Sequence, residues 1–160
     1  MREIVLRHFF DGRATAADLA RDVSGSVDRS EPPGGPAVSR VRIRDMPGEF
    51  PVEPRHVLQL LDAVDAGALD LDALDAICFC LEASDAFIWD ADTREGERVA
   101  RGLFLLGSPE VNYPLTPRVL AKVRHLLSTG EDTFDRTDLR PPGPRPRLLS
   151  VNHKDPDRAV

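Results

Sequence analysis

The side chains able to do chemistry in this sequence of 160 residues are few, and their spacing is poor for it. Cys78 and Cys80 are its only cysteines. At positions i and i+2 of a helix their thiols point about 200° apart, so they cannot chelate one ion together. They read as two small buried hydrophobes. His8, His56, His125 and His153 fall on different predicted elements, so no metal centre is expected. Nucleophilic catalysis needs a base held against a hydroxyl or thiol. The sequence has no Gly-x-Ser-x-Gly segment and no local Cys/His signature. A phosphate cradle needs a glycine-rich turn feeding a helix, with a lysine. Lys122 and Lys154, the two lysines, follow no such turn, and Pro33-Gly34-Gly35-Pro36 reads as a plain loop. Carboxylates are abundant, which argues against any single pair being a tuned acid/base dyad. The expectation is a non-enzymatic protein without cofactor.

Acid, rather than a nucleophile, dominates the chemistry. The net charge is −6, and its distribution matters more than its total. Val57 to Thr93 contains no Lys, Arg or His, while Asp62, Asp65, Asp70, Asp72, Asp75, Glu82, Asp85, Asp90 and Asp92 give it a formal −9. Such a stretch repels nucleic acid, whose affinity rests on neutralising phosphates with Lys and Arg. It attracts a basic partner and speeds the encounter. The plainer alternative is a solvated helix face. Within this stretch Ser84–Asp92 brings Phe87, Ile88 and the single tryptophan, Trp89, between Asp85 and Asp90/Asp92. An aromatic anchor ringed by carboxylates has the composition of a contact hot spot for a basic protein. Asp62, Asp65, Asp85, Phe87, Trp89, Asp90 and Asp92 are therefore the expected partner-binding residues. The competing reading has Phe87 and Trp89 fill the end of the core.

Helices must position these residues. Val5/Phe9 and Leu6/Phe10 at i, i+4 predict a short helix over 4–10. Thr15 suits the N-cap of a second over 16–23, with Asp18 at N3. The three prolines and two glycines of Pro32–Pro36 make a loop. Val41 and Ile43 alternate with Arg40, Arg42 and Arg44, as in a short edge strand or extended chain, though no partner strand is evident. Pro54 opens a helix lined by Val57, Leu58, Leu61 and Val64, and Gly67 closes it. Asp70 or Asp72 caps the next helix. Its Leu71, Leu74, Ile77, Cys78 and Leu81 form the apolar stripe, widened by Phe79 and Cys80. Asp92 and Glu95 have capping-box spacing for a third helix, with Val99, Leu103 and Leu106 inward. Thr116 and Pro117 open a fourth, lined by Val119, Leu120, Val123, Leu126 and Leu127, with Gly130 at its end.

The expected fold is all-α: an antiparallel four-helix bundle over 53–130 with two short N-terminal helices. Residues 1–130 form the domain, 30–50 being a loop or edge-strand insertion. Residues 131–160, with Pro141-Pro142-Gly143-Pro144-Arg145-Pro146, read as a flexible tail of polyproline character. The longest apolar run, Ala76–Leu81, is far short of the roughly 20 residues that span a bilayer. Met1–His8 has no apolar stretch of signal-peptide length, so a cytoplasmic location is expected.

Phe9-Phe10-Asp11-Gly12-Arg13-Ala14-Thr15-Ala16-Ala17-Asp18-Leu19 resembles the start of small bacterial immunity proteins of the colicin D immunity type. The resemblance implies a small, acidic, cytoplasmic helical protein that binds a toxin nuclease and masks its basic, RNA-binding site. This chain departs from the family in its length, its 30–50 insertion and its proline-rich end. Two other readings remain open at this level. Residues 15–44 would be a degenerate helix-turn-helix of a DNA-binding regulator, against the 3–4-residue connection that motif uses. The proline-rich tail would make the protein a structural adaptor.

Overall fold

The computed structural model describes residues 1–30, 38–107 and 113–138. Six helices carry the fold: α1 (Glu3–Phe10), α2 (Ala16–Ser24), α3 (Pro54–Asp65), α4 (Leu71–Ala83), α5 (Arg94–Leu106) and α6 (Pro117–Thr129). Four short strands accompany them: β1 (Val27–Ser30), β2 (Val38–Val41), β3 (Phe50–Pro51) and β4 (Phe87–Ile88). The expected Pro32–Pro36 loop, residues 108–112 and the part of the expected tail from 139 onward lie outside the described residues.

Local chemistry sets most helix ends. Thr15 and Asp18 form a capping box at α2, the Thr15 hydroxyl accepting from the Asp18 N–H at 3.2 Å. Pro54 stands in the first turn of α3, and Gly67 follows its end at φ 70°. The Asp70 carboxylate caps α4, accepting from the Ala73 N–H at 2.7 Å. Thr116 caps α6, and Gly130 ends it in the left-handed region. The α5 cap differs from the expectation. Thr93, not Asp92, accepts from the N–H three residues on, that of Gly96, at 3.0 Å. A threonine one residue later plays the capping role at the shifted start of the helix and leaves Asp92 outside it.

The core joins the inward stripes of all six helices: Leu6 and Phe10, Leu19, Leu60 and Leu61, Leu74, Ile77 and Leu81, Val99 and Leu103, Val123 and Leu127 are all buried. Helix α3 packs on α5 and α6, and α4 packs on α2 and α5. Phe79, read as widening the α4 stripe, is instead 49% exposed, and Leu71 is 39% exposed. The stripe of α4 is narrower than its composition suggests: the sides toward α5, α2 and α3 are covered, and Leu71 and Phe79 lie off them.

The all-α expectation needs two additions. The strand lacking a visible partner has one: β1 and β2 pair antiparallel, Val27 opposite Val41. Among the described residues of 15–44 no second helix follows α2: Val27–Ser30 and Val38–Val41 are strand, which is not the pattern of a helix-turn-helix. Secondly, β3 and β4 pair in parallel, Phe50 with Phe87 and Pro51 with Ile88. Both pairings join segments that are not adjacent in sequence, which local periodicity does not register.

The segment after α6 also differs from a flexible tail, as far as Asp138. Asp138 is buried, and its two carboxylate oxygens take Arg118 at 2.8 Å and Lys122 at 2.5 Å. Phe134 stacks obliquely on Tyr113, with ring centroids 4.8 Å apart.

Candidate functional site

The turn between α4 and α5 is set up by its own polar groups. The Ser84 hydroxyl accepts from the Ala86 and Phe87 N–H groups at 3.0 and 3.3 Å, which turns the chain out of α4. β4 then runs beside β3, the Phe50 N–H donating to the Ala86 carbonyl at 2.7 Å and the Val52 N–H to the Ile88 carbonyl at 2.8 Å. Side chains on a strand alternate between faces. Phe50 and Phe87 accordingly point inward, while Pro51 and Ile88 point out. Beyond β4 the Asp90 carbonyl accepts from the Thr93 hydroxyl at 2.7 Å and from the Thr93 N–H at 3.0 Å. Gly96 is required under this turn: a Cβ there would lie 1.9 Å from the Asp90 carbonyl oxygen.

Phe87 must be withdrawn from the expected contact residues. It is 3% exposed and meets Phe10 and Phe50 edge-to-face, at centroid distances of 6.3 and 6.0 Å. His56 completes this cluster, its ring 5.0 Å from Phe10 and 5.1 Å from Phe50. The Glu53 N–H donates to His56 Nδ1 at 3.0 Å, which fixes that nitrogen as unprotonated. Burial, and then the Arg55 charge, hold the His56 imidazole below its usual range.

The outer surface of the turn keeps the other expected residues. Ile88 is 40% exposed, and Trp89 is half-buried against the core. Asp85, Asp90 and Asp92 are exposed, and among the described residues none of the three forms an ion pair with a cation. Asp90 spends one oxygen on the Asp92 N–H, at 3.0 Å. Two further acids, missed in the sequence, adjoin the turn. Asp45 and Glu49 line a cleft of about 380 Å³ together with Asp85 and the buried Glu3. Glu3 is occupied internally, accepting from the Met46 N–H at 2.8 Å. Only a pattern linking 45–51 to 85–88 could have announced this, and the two-residue pairing of β3 with β4 is too short to leave one.

Asp62 and Asp65 stand elsewhere. Both carboxylates are held by Arg124 of α6, at 2.6 and 2.7 Å. They do not join Asp85, Asp90 and Asp92 in one unpaired surface.

Among the described residues no group of three or more His, Cys, Asp or Glu is placed to hold a metal ion. Cys78 and Cys80 are buried and free. Burial pushes both thiols up, Cys80 to about 12 and Cys78 further. Neither is a thiolate at neutral pH. His8, His56 and His125 sit apart on α1, α3 and α6, and His153 lies outside the described residues. No helix of the described residues is long and apolar enough to cross a membrane. Comparison with protein-family models, with curated proteins and with solved structures gives no match.

Proposed function

We propose that the protein is a non-enzymatic binding module that masks a basic protein partner, in the manner of an immunity protein or antitoxin. One observation carries the reading. The surface of the 84–92 turn combines an exposed Ile88, a half-buried Trp89 and three carboxylates with no cation partner among the described residues. The outward-facing Pro51 and Ile88, with the exposed part of Trp89, supply apolar surface for desolvation on contact, and Asp85, Asp90 and Asp92 supply steering. The contact set is thus narrower than the sequence suggests: Asp62, Asp65 and Phe87 stay with the fold. The proposal includes a cytoplasmic location and an antiparallel bundle of α3–α6, supported by the packing of α3 on α5 and α6 and of α4 on α5.

The test is affinity capture from the native host at low salt, with identification of what is retained, followed by inhibition. A basic nuclease that co-purifies, and whose activity falls to zero at one equivalent of this protein, supports the reading. Its affinity should weaken as ionic strength rises from about 50 to 500 mM, where the Debye length shrinks from roughly 14 to 4 Å. Retention of neutral or acidic proteins alone, or a complex indifferent to salt, overturns it. The adaptor reading rests on residues from 139 onward, outside the described structure, and no observation favours it.

A further inference from the structure

On the opposite chemical footing from the acidic turn, a second concavity is rich in arginine. It measures about 800 Å³ and lies between α1, α2 and the chain that follows β2. Its position follows from local structure. The Glu3 N–H donates to the Arg44 carbonyl at 3.1 Å and the Arg44 N–H to the Met1 carbonyl at 2.9 Å, so 42–44 runs beside the start of α1. The turn after α1 returns Arg13 toward the same space, the Arg13 and Ala14 N–H groups donating to the His8 carbonyl at 2.7 and 3.0 Å.

The charge ledger of the walls decides what fits. The two acids facing the concavity, Asp18 and Asp22, are already committed. Asp22 is held by Arg2, through the guanidinium at 2.6 Å and the backbone N–H at 2.7 Å. Asp18 is held by Thr15 and by Arg21 at 3.1 Å. What remains is Arg13 and Arg44, both exposed and neither with a carboxylate partner among the described residues. Arg42 adds a third guanidinium to the wall. Guanidinium groups present a planar fork that matches phosphate oxygens two at a time. Val5, Ala14 and Ile43 give the same concavity an apolar side, and no aromatic ring other than His8 lines it. A volume near 800 Å³ is that of a small-ligand site. A strand of nucleic acid is disfavoured, because it would need stacking platforms and a longer basic track.

We propose that this concavity binds a phosphate monoester of about nucleotide size, with Arg13 and Arg44 on the phosphate and the Val5/Ala14/Ile43 side against the rest of the molecule. The site is separate from the acidic turn, so it stands or falls independently of the masking function. The experiment is calorimetric or NMR titration of the full chain with AMP, ribose 5-phosphate, inorganic phosphate, adenosine and a ten-nucleotide single-stranded RNA. At least one of the two monoesters binds saturably, and more tightly than inorganic phosphate; adenosine does not bind. Arg13→Ala and Arg44→Ala each weaken binding by about tenfold or more, the scale of a lost charged hydrogen bond, while Arg136→Ala, at an exposed position after α6, changes nothing. Arg13→Lys keeps the charge but loses the fork, and it falls between wild type and Arg13→Ala; it covers the case in which the alanine variant misfolds by circular dichroism. Failure of both monoesters to bind, equal binding of adenosine, or arginine variants that bind as wild type would each overturn the site. So would RNA bound through Arg13 and Arg44 without monoester binding, which would make the concavity a backbone track instead.

Discussion

Two groups of aspartates share one chemistry and live in opposite circumstances. Asp62 and Asp65, at the end of α3, face α6, where the single guanidinium of Arg124 reaches both. Asp85, Asp90 and Asp92, around the turn from α4 to α5, meet no cation among the described residues. The difference lies in what stands opposite. A helix packed beside another presents a row of long side chains within bonding reach, so an acid on its flank finds a base. A turn at the end of the packed helices faces solvent, so its acids keep their charge uncompensated. A run of nine acids without a base is therefore one feature in sequence and at least two in space. The closed pair belongs to stability, where exposed ion pairs contribute about 0.2–1 kcal/mol each. Under the proposed masking function the open trio serves recognition, where uncompensated charge raises the encounter rate.

The largest expected effect separates the two faces of β4. Phe87→Ala removes a ring packed on Phe10 and Phe50, and should lower the unfolding free energy by about 3–5 kcal/mol in urea titration. Trp89→Ala, which removes a ring only half-buried against the core, should cost the free protein clearly less than Phe87→Ala. In the complex it should speed dissociation by the equivalent of about 2–4 kcal/mol. If Trp89→Ala unfolds the free protein, the ring is core and the anchor is lost from the proposal.

Next comes charge. Asp85→Asn, Asp90→Asn and Asp92→Asn combined should slow association with the basic partner and flatten its salt dependence, with the urea midpoint nearly unmoved. Asp62→Asn with Asp65→Asn should do the reverse, lowering stability by up to about 1 kcal/mol and leaving the association rate close to wild type. Stopped-flow mixing across a salt series reads the first quantity and denaturant titration the second. Interchanged results would abolish the distinction between closed and open acids.

Much of the helical frame was legible because its signals are local. Thr15, Pro54, Gly67, Asp70, Thr116 and Gly130 each act within one turn of chain, and each stands where its chemistry predicts. What could not be read depends on distant partners. β4 is two residues long, and its alternation of Phe87 inward and Ile88 outward exists only because Phe50 and Pro51 lie alongside. Asp45 and Glu49 join Asp85 through that same pairing. Arg124 is 59 residues from Asp65 in sequence, so its neutralising role was invisible from the acidic run itself. Asp138 falls inside the segment read as a flexible tail from 131, and its burial depends on Arg118 and Lys122, which reach it from α6.

A pH dependence should also arise in the buried cluster beneath the turn. His56 sits in the aromatic cluster under β3 and β4, and its imidazole is held below its usual range by burial and by Arg55. The folded protein therefore binds fewer protons here than the unfolded chain, whose histidine titrates near 6.5. The contribution is complete above that value and is lost as pH falls below it. Denaturant midpoints should drop between about pH 7 and 5, and His56→Gln should remove this part of the slope. A slope unchanged by His56→Gln would place the acid-sensitive group elsewhere.

The smallest effect is the most direct attempt to turn one region into the other. Arg124→Gln withdraws the guanidinium from Asp62 and Asp65 while keeping a long polar side chain on α6. Asp62 and Asp65 are 66% and 64% exposed at their side chains, so the freed carboxylates are hydrated at once and the fold should lose only about 1 kcal/mol or less. That loss should shrink in about 1 M salt, where the Debye length is roughly 3 Å and the wild-type pairs are themselves weakened. The surface gains two uncompensated charges on the same chain as the open trio. If uncompensated carboxylate is what steers the basic partner, the association rate at low salt should rise, by well under about tenfold, since the new charges flank the contact rather than form it. The dissociation rate should not change, because Trp89 and Ile88 are untouched. A rise in affinity through slower dissociation would instead mean that Asp62 and Asp65 make contact in the complex, and the partner surface would then extend from the turn along α3.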